Sequence, residues 1–253
     1  RSLVTRINVI DDFFSESPFN WTINGGTWQI VNRFQCTPSW SHMIGESEDN
    51  LAALWYKALF EGDMTLEFYA GTRHGDWYYR MGDLNCTIMA QATSPSSGYT
   101  VTCTEWDQEL SQKWTTLRRN GEVMVRADDY LVPRRRAGLV RKFLNPLVSQ
   151  GRPYHGAWYY IKLRKMGDKL EYYFDDHKIF ETTDPEALRD GLVGIWTFMH
   201  SMTVAQVKIT FDSMRPRPIR LLPPPSSPPP AAEPVPAVTL NDFPLFALEP
   251  SRW

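Results

Sequence analysis

Short runs of alternating apolar and polar residues, cut by turn residues at close intervals, constrain this chain more than any other feature. Thr27–Phe34, Met64–Ala70, Trp77–Met81, Leu84–Ala90, Tyr99–Glu105, Trp158–Arg164, Leu170–Phe174, Leu192–Phe198 and Val204–Asp212 all read as strands. In the last run Val207, Ile209 and Phe211 fall on one side, and Gln206, Lys208 and Thr210 on the other. A period of two marks a strand with one buried and one wet face. Only Asp184–Asp190, "DPEALRD", reads as a helical turn. Many short strands at regular spacing predict an all-β fold, two antiparallel sheets packed as a sandwich.

The turn chemistry agrees. Asn24-Gly25-Gly26, Asn120-Gly121 and Gly167-Asp168 each separate strand-like runs. Asn-Gly supplies the left-handed backbone that a two-residue hairpin requires. "WTTLRRNGEVMVRA" is therefore expected to be a hairpin, and "WYYIKLRKMGDKLEYYFDDHKIF" to hold two more, at Gly167-Asp168 and Asp175-Asp176. With Gln91–Gly98 as a loop, Ala90 would face Tyr99, Ile88 Val101 and Cys86 Cys103. Those residues form an apolar face, on which the two cysteines would either bridge the strands or pack as small hydrophobes. The opposite face would carry Asp83, Asn85, Thr87, Thr102, Thr104 and Trp106 as a polar surface. The third cysteine, Cys36, has no metal-site spacing to the others.

Composition bounds the function classes. A net charge of −2 gives no general pull toward nucleic acid or anionic lipid. No run of 18 apolar residues is present, so no helical membrane span is expected. Charge is nonetheless uneven: Tyr130–Gly167 holds nine Lys or Arg and no acid, densest at Arg134-Arg135-Arg136. Such a stretch is either a solvated loop or a cationic rim for an acidic glycan. Residues 216–236 hold ten of the 19 prolines and read as a stiff polyproline-like spacer. Beyond it, "VTLNDFPLFALEPSRW" echoes the opening "INVIDDFFSESPFNW". The expected organisation is a domain over 1–214, a Pro-rich linker over 215–237, and the opening strand of a truncated second copy over 238–253. The chain begins at Arg1 and reads as a piece of a larger extracellular or periplasmic protein.

Several segments together resemble a known superfamily. "DDFF…NW" followed by "GGTWQIVNR", the strand-like "EGDMTLEFYA" opened by a Gly-Asp turn, "GAWYYIKLRKMGDKLEYYFDDHKIFET", "GLVGIWTF" and "VKITFDS" resemble the strands of concanavalin A-like lectin/glucanase domains. Within that superfamily the chain is similar to bacterial 3-keto-disaccharide hydrolase-like domains, over roughly residues 8–213. The resemblance implies a jelly roll and a sugar ligand. Laminarinase-like members carry a Glu-x-Asp-x-x-Glu motif. Glu61, Asp63 and Glu67 are spaced one residue too long for it, and Glu61 and Asp63 fall at a Gly turn, so that active site is not carried over. Some members hold structural calcium near the last strand, which would nominate Asp212 here; no cofactor is otherwise required.

Alternation then supplies a candidate surface. Met64, Leu66 and Phe68 point inward, leaving Thr65, Glu67 and Tyr69 outside; Trp77, Tyr79 and Met81 read as core, leaving Tyr78 and Arg80 outside. Glu67, Arg80, Asp83, Asn85 and Trp106 would converge on one concave face. Carboxylates, amides and a guanidinium bond hydroxyls directionally, and an aromatic ring covers the C–H patch of a sugar. The structural alternative is a set of cross-strand surface pairs. Hydrolysis would need two carboxyls across the scissile bond; Glu67 and Asp83 are the couple available, with His155 as a base. Three functions follow: a polysaccharide- or oligosaccharide-binding or adhesion module, a glycoside hydrolase or related sugar-cleaving enzyme, or a protein-interaction domain. Asn20-Trp21-Thr22 and Asn85-Cys86-Thr87 also match the glycosylation pattern.

Overall fold

The computed structural model describes residues 8–14, 18–32, 41–48, 50–72, 83–107, 112–128 and 158–216. They form fifteen antiparallel strands and one short 3-10 turn, Pro18–Asn20. No helix among the described residues is long and apolar enough to cross a membrane.

The first layer runs in the order β3 (Thr27–Asn32), β4 (Ser41–Glu46), β15 (Ser201–Pro216), β6 (Ala58–Thr72), β11 (Tyr159–Met166), β12 (Lys169–Phe174) and β13 (His177–Thr183), with β1 (Asn8–Asp12) also paired to β15. The second runs β2 (Trp21–Asn24), β5 (Leu51–Tyr56), β14 (Asp190–Phe198), β7 (Asn85–Ala90), β8 (Tyr99–Asp107), β9 (Gln112–Arg119) and β10 (Glu122–Asp128). The layers join where Asp190 and Gly191 of β14 pair with Glu61 and Phe60 of β6. Alternate side chains of both layers meet in one core. Leu66 and Phe68 of β6, Ile161 and Leu163 of β11 and Ile209 of β15 lie there with Cys86, Ile88, Val101, Leu117 and Ile195, all fully buried. This is the expected all-β sandwich, and its burial drives folding as water is removed from apolar surface.

The hairpins fall where turn chemistry places them. Asn120 and Gly121 take φ of 49° and 92°, and Asp175 and Asp176 take 48° and 62°, the left-handed pairs that two-residue hairpins use. Val207, Ile209 and Phe211 are buried while Lys208 is exposed.

Four expectations change. Asp184–Asp190 is a turn, not helical. Asp184 holds it open by accepting bonds from the Glu186 N–H (3.0 Å) and the Tyr99 hydroxyl (2.5 Å), competing with helical pairing. The Gly-Asp step at 62–63 does not start a strand: β6 runs through it, bulging so that Gly62 and Asp63 together face Asp212 of β15. The β7–β8 register slides by two residues, so that Cys86 faces Val101 and Ile88 faces Tyr99. On its other edge β7 pairs with β14 from Asn85 to Ala90, with a bulge at Met89 (φ 56°) before Ala90 meets Leu192. A two-residue slide keeps every side chain on its own face, and Cys86 and Cys103 are both buried and not joined by a disulfide. Burial pushes the Cys86 thiol far above the ordinary range, with Cys103 adding to it. Lastly, Asn85, Thr87 and Thr102 are buried rather than a wet polar face. The expected strand Trp77–Met81, residues 130–157 of the basic stretch, Cys36, the Pro-rich segment past residue 216 and the terminal echo lie outside the described residues, while Arg215 and Pro216, expected to open the linker, end β15.

Candidate functional site

The outer face of the first layer is a set of cross-strand rows. Register places Asp11, Lys208, Glu67, Lys162, Tyr173 and Lys178 side by side on six consecutive strands. Signs alternate through the first four, which is how neighbouring charges on a sheet stabilise one another. Glu67 lies 3.7 Å from the Lys162 ammonium and accepts a short hydrogen bond from the Tyr160 hydroxyl. Burial, then the bond to Glu67, pushes the Tyr160 phenol well above its usual range. Farther along, Glu171 is ringed by Lys178 (3.0 Å), Lys169 (3.2 Å) and Arg164 (3.6 Å). Burial raises the Glu171 carboxyl, but hydrogen bonds from Lys178 and Lys169 outweigh that and bring it to about 2.

Where β1, β15, β6 and β11 lie together, the face hollows into a groove of about 230 Å³ lined by Asp11, Asp12, Phe13, Glu67, Tyr69, Tyr160, Gln206, Val207 and Lys208. A bulge makes the hollow. Between Ala205, opposite Tyr69, and Lys208, opposite Glu67, β15 carries one residue too many, and Gln206 takes a left-handed φ of 49°. Bulges of this kind re-aim side chains beside binding sites. The Tyr69 and Tyr160 rings stand 5.5 Å apart, tilted by 48°, and Tyr69 remains 40% exposed. Deeper in, buried Asp12 accepts the Trp21 indole N–H at 2.9 Å.

The outer face of the second layer differs. The Trp196 indole N–H donates to the Thr87 hydroxyl (3.0 Å), Thr87 pairs with Thr100 (2.9 Å), and Thr100 donates to the Pro95 carbonyl (2.6 Å). Thr102 and Thr116 share a short bond. Trp55 is 1% exposed and lies against Gly194, where a methyl group would stand 2.6 Å from the ring.

Of the site residues proposed from sequence that fall among the described ones, only Glu67 lines the groove. Asp83 and Asn85 belong to the second layer and serve its backbone. The Asp83 N–H donates to the Cys103 carbonyl (2.9 Å), and Asn85 Oδ1 accepts the Cys103 N–H (2.9 Å). Glu67 is therefore not brought together with Asp83 or Asn85. Asn85 is 1% exposed, which removes it as a glycan acceptor. Trp106 lies on β8 opposite Lys113, its side chain outside the described set, and Arg80 and His155 lie outside the described residues. Sequence reasoning passed over Asp11, Tyr160, Gln206 and Lys208. Tyr160 and Lys162 carried a usable signal, since alternation in "YYIKLRK" turns both outward.

A calcium site at Asp212 does not fit its surroundings. Asp212 accepts the Asp63 N–H (2.8 Å) and packs on Gly62. The Lys165 ammonium, 4% exposed, donates to the Gly62 carbonyl (3.1 Å) and sits 3.9 Å from Asp63. Burial lowers the Lys165 ammonium, against the upward pull of Asp63 and Asp212. These acids already face an internal cation, and among the described residues no three of His, Cys, Asp and Glu group as a metal set.

The fold and groove define an antiparallel jelly-roll sandwich with a hollowed outer face, and solved structures share that architecture. A Bacillus subtilis protein of unknown function with a galectin-like fold matches at a TM-score of 0.51 and 13% identity, over 76% of this chain and 90% of that one. The carbohydrate recognition domain of Emp46p in its metal-free form matches at 0.51 and 12%, over 80% and 92%. That of Emp47p matches at 0.50 and 14%, over 83% and 99%. These likenesses establish the concanavalin-like fold. No curated protein matches the chain in sequence. Residues 47–207 match the family described as Domain of unknown function (DUF6250), and the chain belongs to that family.

Proposed function

We propose that this domain binds carbohydrate in the groove between β1, β15, β6 and β11. The observation that carries the reading is the pair of Tyr69 and Tyr160 rings beside a fixed carboxylate, Glu67, in a hollow open to solvent. The rings offer apolar faces to the C–H side of a sugar, and Glu67, Asp11, Gln206 and Lys208 offer donors and acceptors to its hydroxyls. A few convergent polar groups on an aromatic lining are the usual make-up of a small-ligand site. At about 230 Å³ the hollow is smaller than the ~300–1,000 Å³ that takes drug-sized ligands, which suits one or two sugar units. Solved relatives in fold named as carbohydrate recognition domains add support.

The Pro-rich stretch of residues 216–236 supports a wider setting, a module within a secreted multidomain protein. The finer likeness, to 3-keto-disaccharide hydrolase-like domains, would make the ligand a substrate and place Glu67 at the reacting bond. Calorimetric titration against a panel of oligosaccharides tests the reading. Tyr69→Ala is expected to weaken binding by roughly tenfold, ~1.4 kcal/mol. Unchanged affinity in that variant would remove the groove from consideration.

A further inference from the structure

We infer that the groove selects amino-bearing sugars over acidic ones, an inference that rests on the carbohydrate reading above. Three carboxylates line it, those of Asp11, Asp12 and Glu67, against one ammonium, that of Lys208. Register sets Lys208 opposite Asp11 on one neighbouring strand and Glu67 on the other, so carboxylate-bearing residues flank it on both sides. Lys162, the next cation, stands beside the lining and is shared between Glu67 at 3.7 Å and the Tyr173 ring at 5.3 Å.

The three acids are not equivalent. Asp12 is buried and takes up the Trp21 indole, and Glu67 takes up the Tyr160 hydroxyl. Asp11 is exposed, and among the described residues it has no ion pair. Its carboxylate is the one placed to meet an incoming cation. The two tyrosine rings point to the same ligand, because the faces of aromatic rings carry negative potential and attract ammonium groups. A carboxylated or sulfated sugar would instead bring a like charge into this lining, which costs affinity. The basic stretch 130–152 of the sequence favours an acidic glycan by composition alone, and the groove's own charges point the other way.

The test titrates the full chain, by calorimetry, with three oligosaccharides of equal length: a glucosamine oligomer, its N-acetylated counterpart, and a uronic acid oligomer. The expected order is amine, then acetylated, then uronate, with roughly tenfold between the first and last, the factor ~1.4 kcal/mol sets. Raising the pH until the ligand amine is neutral should erase the preference. Asp11→Asn should cut affinity for the amine more than for the acetylated sugar; its exposed position keeps folding intact, checked by circular dichroism. Uronate binding as tight as the amine, or an unchanged amine-to-acetyl ratio in Asp11→Asn, overturns the inference while leaving sugar binding in place. Failure of all three sugars to bind overturns the carbohydrate reading and the inference with it.

Discussion

The two outer faces of the sandwich start from the same rule, alternate residues turned away from the core, and end in opposite states. On the first layer the outward residues are mostly long and charged, and register lines them up in rows, as from Asp11 to Lys178. On the second they are Thr, Asn and Trp, and they are buried: Thr87, Asn85 and Trp55 are all at most 1% exposed. One run of hydrogen bonds closes within the face, from Trp196 through Thr87 and Thr100 to Pro95, whereas the Trp55 indole N–H is buried by packing alone. Buried polar groups must be paired to be tolerated, and neighbouring hydroxyls on paired strands achieve that cheaply. The difference teaches that polarity along a strand does not by itself mark a wet surface. Long charged side chains stay at water, whereas small hydroxyls are satisfied by their neighbours and can be covered.

The sharpest way to break this comparison lies on the second layer. Trp55→Ala is expected to cost ~3–5 kcal/mol of stability, the range for emptying a buried aromatic site. Urea denaturation measures it, and a loss below ~1 kcal/mol would mean that the face is not packed as described. A middle-sized effect is expected in the charged rows. Glu171 has a folded pKa of about 2, below the unfolded value. Its contribution to stability is therefore present above ~pH 4.3 and lost as pH falls through about 2. Melting temperature followed from pH 6 down should fall less steeply in Glu171→Gln than in the parent. The smallest effect belongs to the groove. Tyr69→Ala should change stability by no more than ~0.5 kcal/mol, as for an exposed residue, while weakening sugar binding. A large loss of stability would recast Tyr69 as a packing residue.

Much of the fold was legible because one face of many strands is wet. The alternation of Val207, Ile209 and Phe211, and the Asn120-Gly121 hairpin, needed only local chemistry. β5, "LAALWY", was not legible, because it is buried on both sides and so has no period to read. The slide of Cys86 from Cys103 to Val101 was hidden for a different reason. It lies in the pairing of β7, whose other edge is held by β14, a strand about a hundred residues later, with a bulge at Met89. The groove shows the same limit. Glu67 stood out as an outward carboxylate, but its partner Tyr160 is 93 residues away. Asp11 meets Lys208 only because the first strand closes on the last. Which outward residues become neighbours is a property of strand order, and strand order is not written in any one segment.

That closure has a mechanical consequence. β1 runs antiparallel along β15, with Asn8 beside Phe211, so the first and last described strands enter and leave at the same edge. Tension drawn through the two ends of the domain would load their hydrogen bonds one after another, as in peeling tape, not all at once as in shear. Asp11 and Asp12 ride on the strand that peels first, so a stretched tether would dismantle the groove while the rest of the sandwich still holds. Single-molecule pulling from both ends should show a small early yield that removes ligand binding before the main rupture.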